Sequence, residues 1–136
     1  MNTQDKDFDI KAIHAAVEDY YSGWYYADVE RVSRCMHPDM AKRTIQHDEN
    51  EKEYLLNLTK EVMVNATRGG GGSKEPDEKK NWTITIMDVY REIASVKVES
   101  VQFWEYLHLV KQDGKWQVLN VLYTGRHQTA TEGNPA

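Results

Sequence analysis

At 136 residues the chain has the size of one domain around one hydrophobic core. A net charge of −5 argues against nucleic acid as the main partner, because such a partner favours a basic patch. A single cysteine, Cys35, excludes an intrachain disulfide and fits a reducing compartment. The polar, acidic stretch Met1–Asp9 has no apolar secretory run, and no stretch approaches a membrane span, so a cytoplasmic protein without a membrane partner is expected. The sequons at Asn57, Asn65 and Asn81 are read as chance on that ground.

Residues 1–7 read as a loose tail. From about Phe8 to Tyr26, Ile10, Ile13, Val17, Tyr20, Tyr21 and Trp24 recur three and four apart, the spacing of a helix. Tyr20 and Trp24, one turn apart, form an aromatic wall that faces either a pocket or the core. Asp28 is placed to cap a short second helix, Val29–Met36, with Val32 and Met36 inward. Pro38 in His37-Pro38-Asp39 stops it. Lys42–Gln46 is a short extended piece at best, and His47–Asn50 is turn-like. A third helix is expected from about Glu51 to Thr67, with Tyr54, Leu55, Leu58 and Val62 on one face. Gly69–Gly72 and Ser73 read as a mobile surface loop, because four glycines hold no fixed conformation cheaply. A phosphate-binding loop would need a preceding strand and a Lys-Ser/Thr ending.

Beyond this loop the period changes to two. Trp82, Ile84, Ile86 and Asp88 share one face of a strand. A turn near Arg91–Ile93 leads into Ala94, Val96, Val98 and Ser100; a three-residue turn pairs Val96 with Asp88 and Val98 with Ile86. The strongest local signal is Asp113-Gly114 between two aromatic and aliphatic runs, Phe103 to Tyr123, because a type I′ hairpin turn needs positive φ at both central residues. A two-residue turn pairs Leu109 with Val118, Leu107 with Asn120 and Glu105 with Leu122. Residues 126–136 read as a frayed tail, leaving one domain over 8–125. The fold class is α+β: three N-terminal helices packed on a curved antiparallel sheet, a meander of four strands.

Tyr20-x-x-Gly23, the capping Asp28, His37-Pro38-Asp39 and Lys42-Arg43 follow one another in an order that resembles the nuclear-transport-factor-2-like, or SnoaL-like, superfamily. Ile93–Val98 and Asp113–Leu122 resemble strands of its branch labelled "putative lumazine-binding". The resemblance spans about residues 10–124. It implies a cone-shaped roll with a cavity between sheet and helices, and dimers through the outer face of the sheet. Its members include isomerases, dehydratases and cyclases as well as non-enzymes.

On that basis Leu107, Leu109, Trp116, Val118, Asn120 and Leu122 are assigned to the concave face. Trp104, Tyr106, His108, Leu119, Val121 and Tyr123 are assigned to the convex face. A convex face so apolar exceeds the patch typical of monomers, so a symmetric homodimer is expected. Asp88 and Glu105 are carboxylates on an otherwise apolar face. A carboxylate held in such a cavity can act as a base near neutral pH, which makes Asp88 the catalytic candidate; hydration at the rim is the alternative. Asn120 sits mid-strand between Val118 and Leu122 and needs a ligand, a helix backbone or water as partner. His37 and Arg43 fall near the cavity mouth if the resemblance holds, Arg43 suiting an anionic group or a salt bridge. Tyr54 completes the expected ligand-binding set with Tyr20, Trp24, His37, Arg43, Asp88, Glu105 and Asn120. The five histidines lack ligand spacing, so neither metal nor cofactor is expected, and Cys35 reads as a small buried residue. The first reading is a domain binding a small apolar or aromatic molecule. The alternatives are an isomerase, dehydratase or cyclase with a pocket carboxylate as base, and a protein-interaction or dimerisation module.

Overall fold

The helical spacing at the N-terminus forms α1 (Thr3–Tyr25), which buries Ile13, Val17, Tyr20 and Tyr21. The structure, a computed structural model, describes residues 3–126. After α1 come α2 (Val29–Cys35), β1 (Met36–His47), β2 (Glu53–Thr59) and α3 (Lys60–Arg68). A 3-10 turn at Asp77–Lys79 precedes β3 (Trp82–Tyr90), β4 (Ile93–Ser100), β5 (Phe103–Gln112) and β6 (Lys115–Gly125). The described residues thus form an α+β fold of three α-helices and one six-stranded sheet, in the order β2-β1-β6-β5-β4-β3. All neighbouring pairs are antiparallel except β1 with β6, which run parallel.

Several local signals act as read. Asp28 caps α2 by accepting from the Arg31 N–H at 3.2 Å. Gly23 lets α1 and α2 approach closely: a Cβ there would lie 2.6 Å from Val32 Cγ2. Asp113 and Gly114 both take positive φ, 53° and 79°, and pair Gln112 with Lys115 across a two-residue turn. The core joins α1 and α2 to one face of the sheet through Val32, Val96, Val98, Leu107, Leu109 and Val118, all at most 1 % exposed. Each such side chain contributes about 1.5–3 kcal/mol on burial.

Other expectations are corrected. Residues 3–7 belong to α1 and are not a loose tail; residues 1 and 2 lie outside the described residues. Of the tail expected at 126–136 only Arg126 is described. Its backbone N–H donates to the Gln102 carbonyl at 2.8 Å and its guanidinium to the Ser100 carbonyl at 3.1 Å. The helix expected at 51–67 is divided. Glu53–Thr59 is an edge strand, and the helix begins only after Thr59, whose hydroxyl accepts from the Val62 N–H at 3.2 Å. Leu55, Leu58 and Val62 satisfy a helical spacing, but pairing with β1 wins over it. The weak extended piece at Lys42–Gln46 is the middle of the 12-residue β1, so the sheet is mixed and not a four-stranded meander.

The glycine run is seated, not free. Gly71 N–H donates to the Ala66 carbonyl and Gly72 N–H to the Trp24 carbonyl, both at 2.9 Å. Gly71 has φ +52°, and a Cβ on it would meet the Trp24 carbonyl at 2.6 Å. Glycine serves here for close approach to α1 as much as for conformational freedom.

The β3–β4 turn has two residues, Arg91 and Glu92, with Tyr90 pairing with Ile93, and not the three expected; two β-bulges shift the strand registers further. In β3, Ile86 pairs with Val96 and Asp88 with Ser95, so Met87 is the extra residue. In β6, Val118 pairs with Leu109 and Asn120 with His108, so Leu119 is the extra residue. Each bulge exchanges the two faces of the strand beyond it. Asp88, Asn120 and Leu122 are therefore exposed on the outer face, while Val121 is buried and Tyr123 half-buried on the helix-facing side. The assignments of Asn120 and Leu122 to the inner face, and of Val121 and Tyr123 to the outer face, are reversed.

Asp9, buried at 3 % exposure, ties α1 to the β5–β6 hairpin. It accepts from Trp116 Nε1–H at 2.9 Å and from Lys111 Nζ at 3.0 Å, both at Oδ1. The Trp116 hydrogen bond, opposed by burial and helped by Lys111, holds Asp9 below the usual carboxylate range. Its stabilising contribution is therefore complete above the ordinary value of 3.8 and lost as pH falls below it through the depressed folded value. Asp9→Asn should cost about 1–2 kcal/mol at neutral pH, the half-buried Lys111 contribution being screened by solvent. Urea unfolding should show the wild-type advantage shrinking between neutral pH and about pH 3; an advantage constant over that range would refute this role. Gly72→Ala places a Cβ 2.7 Å from Trp24 Nε1 and 2.9 Å from Tyr25 Cδ1. It should lower stability by about 1–3 kcal/mol, and an unchanged Tm would show that the loop yields.

Candidate functional site

One group of polar side chains lies inside the core, where α1 crosses the sheet. Tyr20 and Tyr21 come from the last turns of α1, Lys42 from the middle of β1 and Glu105 from β5. All four are at most 4 % exposed. The alternation Met40, Lys42, Thr44 points these three residues of β1 inward, and the alternation Glu105, Leu107, Leu109 does the same for β5. Lys42 Nζ lies 2.9 Å from Glu105 Oε2 and donates to the Tyr20 hydroxyl. Tyr21 donates its hydroxyl proton to Glu105 Oε1. The contact at Oε2 is at ion-pair distance but lies off the hydrogen-bonding direction, so it is Coulombic in character.

Burial, reinforced by the nearby Glu105 charge, pushes the Tyr20 and Tyr21 hydroxyls well above the ordinary tyrosine value. Burial and the same carboxylate raise Tyr123. At neutral pH these hydroxyls therefore keep their protons. The Tyr20 and Tyr21 rings stack at 4.6 Å. Lys42 Nζ sits 4.5 Å from the Tyr123 ring centre and 5.4 Å from that of Phe103, with the two half-buried rings edge to face at 5.4 Å. The cluster thus offers a fixed cation and a fixed carboxylate behind two aromatic rings.

Of the ligand-binding residues expected from sequence, Tyr20 and Glu105 meet here. The others stand elsewhere. Trp24 donates from Nε1 to Gln102 Oε1 at 3.0 Å and packs under the glycine run. His37 lies beside the β5–β6 turn; its Nδ1 accepts from the Asp39 N–H at 3.0 Å, which leaves Nε2–H to donate to Gln112 Oε1 at 2.7 Å. Arg43 is on the outer face and donates to Asn57 Oδ1 at 2.6 Å. Tyr54 is exposed on β2, the edge strand. Asp88 is exposed on the outer face and lacks the burial on which its expected role as a base depended. Asn120 is also on the outer face, its Nδ2 3.4 Å from His108 Nδ1. Of the residues expected at a dimer interface, Trp104, Tyr106, His108 and Leu119 lie on the outer face, Val121 and Tyr123 on the inner.

Sequence reasoning missed Lys42 and Tyr21 as site residues. The signal for Lys42 was its place at an inward position of an alternating run, invisible while Lys42–Gln46 read as a fragment. Tyr21 read as core. Cys35 is buried, and burial pushes its thiol up to about 12, so it offers no thiolate nucleophile at neutral pH. Among the described residues no three His, Cys, Asp or Glu side chains converge as a metal site needs. None of the described helices is long and apolar enough to cross a membrane.

The comparisons with known proteins agree on fold. A protein of unknown function from Silicibacter pomeroyi DSS-3, described as NTF-2-like, superposes with a TM-score of 0.72 at 21 % identity, over 93 % of this chain and 100 % of its own. A similarly described protein of unknown function from Shewanella baltica OS155 superposes with a TM-score of 0.70 at 18 % identity, over 94 % of this chain and 100 % of its own. A ketosteroid isomerase-like protein from Erwinia carotovora atroseptica reaches 0.55 at 14 % identity, over 86 % of this chain and 95 % of its own. No curated protein matches the sequence. The family profile described as "Putative lumazine-binding" matches residues 8–124. The chain therefore belongs to the Putative lumazine-binding family, and its fold is the one seen in proteins described as NTF2-like.

Proposed function

We propose that the domain binds a small planar molecule between α1 and the sheet and does not transform it. The observation that carries this reading is the Lys42–Glu105 ion pair, enclosed with Tyr20 and Tyr21 in a largely apolar core. Taking each charge out of water costs several kcal/mol, and well-packed apolar residues would fill the same space without that cost. Charges kept at such a position are a mark of functional sites. Lys42 supplies a donor, Glu105 an acceptor, and Phe103 and Tyr123 a flat apolar surface beside them. A compact heteroaromatic ring with donors and acceptors along one edge matches this set. The family description names a ligand of that kind. The reading takes the sheet as a cone curved around α1, a view supported by α1 touching both the edge strand β3 and the central β6. A cytoplasmic setting fits the single, buried cysteine.

Proton abstraction next to a carbonyl is less well supported. It needs a base that takes up the proton itself, and a protonated Glu105 would lose its ion pair with Lys42, whereas accepting a hydrogen bond leaves that pair intact; Asp88 stands outside the interior.

A second reading, self-association, is favoured by the outer face. Met87, Tyr90, Ile93, Tyr106 and Leu122 are between 46 % and 64 % exposed, and Ile45 and Leu55 pair on the same face. A second copy covering this face would form a symmetric dimer.

Two measurements test these readings. Removing one member of the ion pair, in Lys42→Met or Glu105→Leu, should cost about 3–5 kcal/mol by leaving a buried charge alone, whereas the double replacement should cost far less. Lumazine should raise the Tm of the wild-type chain and have no effect on the double variant. A double variant that keeps the response, or a wild type that never responds, refutes the interior site. For self-association, sedimentation should give a dimer at micromolar concentration that Leu122→Lys with Ile93→Glu converts to a folded monomer; a wild-type monomer refutes it.

A further inference from the structure

The interior cluster is sealed. Tyr20, Tyr21, Lys42 and Glu105 are each at most 4 % exposed, so a ligand reaches them only after part of their cover moves. That cover is uneven. Three rings surround the Lys42 ammonium, those of Tyr20, Phe103 and Tyr123. Tyr20 is buried, whereas Phe103 and Tyr123 are half-buried. Phe103 opens β5, directly after the turn Val101–Gln102.

A set of hydrogen bonds converges on that turn. Gln102 Oε1 accepts from Trp24 Nε1–H on α1 at 3.0 Å, and Gln102 Nε2 donates to Glu75 Oε2 at 3.1 Å. The Gln102 backbone N–H donates to the Tyr25 hydroxyl at 3.3 Å. Glu75 lies in the loop after α3, where its own N–H donates to the Gly72 carbonyl at 3.2 Å. One side chain thus ties together α1, the glycine-rich loop and the β4–β5 turn. The loop rests on the Trp24 indole closely enough to exclude a Cβ at Gly71 or Gly72. The indole in turn lies 6.3 Å from the Phe103 ring, and Phe103 meets Tyr123 edge to face at 5.4 Å.

We propose that Gln102 is the latch of a gate: when its amide releases Trp24 and Glu75, Trp24 and Phe103 swing aside and a small planar molecule passes to Lys42 and Glu105. The inference rests on the interior site proposed above and adds the route by which that site fills. Trp24, Glu75 and Gln102 are half-buried, so water takes over their hydrogen bonds on opening at small net cost. The rest of the shell is harder to move, because Val96, Val98 and Leu107 are fully buried in the sheet core. Local opening occurs where buried apolar contacts are few, and the segment between α3 and β3 has only a 3-10 turn of its own.

The chemical access of Lys42 tests the gate without a ligand. Reductive methylation by formaldehyde and cyanoborohydride, followed at each lysine by peptide mass spectrometry, reads that access at neutral pH. Gln102→Met keeps the length of the side chain and removes both amide contacts. It should raise the Lys42 labelling rate about tenfold, the scale of two lost hydrogen bonds, with exposed Lys115 labelled as in the wild type. Glu75→Ala removes only the loop arm of the latch and should raise the rate about threefold. Asp9→Asn weakens the fold near the other end of α1 and should leave the Lys42 rate unchanged, which separates the gate from general unfolding. An unchanged rate in either latch variant, or an equal rise in Asp9→Asn, overturns the proposal. Should lumazine never raise the wild-type Tm while Lys42 responds as described, the gate stands and the ligand reading falls; should lumazine bind while Lys42 ignores Gln102→Met, the reverse holds.

Discussion

A β-strand carries its side chains with a period of two, so a single inserted residue exchanges inside and outside for everything beyond it. Met87 in β3 and Leu119 in β6 are such residues, and they flank the same rung of the sheet. The composition of both faces follows from them. Val121 and Tyr123 enter the helix-facing side, where Tyr123 covers Lys42, while Asp88 and Asn120 leave it. Without the β6 bulge, Asn120 would lie against the apolar core and Tyr123 would stand in solvent. The Tyr123 ring over Lys42 and the outward turn of Asn120 are thus two products of one irregularity, the β6 bulge.

Inside the sheet, the Lys42–Glu105 pair does more than link β1 to β5. Tyr21 ties Glu105 to α1, and Tyr20 ties Lys42 to the same helix. A short polar network therefore joins helix and sheet across the core, with tyrosine hydroxyls that burial keeps protonated. Such networks are worth most when every member is satisfied, because the low dielectric that strengthens each contact also penalises a missing one. Glu105 Oε2, held by charge and not by an aligned hydrogen bond, is the least satisfied atom in it. A ligand edge that supplied a donor there would complete the network.

The parts of the fold legible in sequence were those set by neighbours along the chain. The spacing of Ile13, Val17 and Tyr20 located α1; Asp28 marked the start of α2; Asp113-Gly114 placed the last hairpin turn. The order of Tyr20-x-x-Gly23, Asp28 and His37-Pro38-Asp39 carried the resemblance that the family match over residues 8–124 bears out. The site was less legible. Tyr20 and Glu105 stood among the expected ligand-binding residues, but Lys42 did not, because its importance depends on β1 lying beside β6, some eighty positions away in the chain. The glycine run read as free because its partner, Trp24, is equally remote.

Local sequence by itself determined α1 and α2, the β3–β6 strand segments, the hairpin turn and the α+β class, since helix spacing, caps and positive φ depend only on adjacent residues. Tertiary structure alone decided the parallel pairing of β1 with β6, the edge strand taken from a helical pattern, the seat of the glycines on α1 and the two bulges. Each of these is a competition between backbone partners distant in sequence. A bulge is chosen by what the strand must face on either side, and periodicity read along one strand contains no record of that choice.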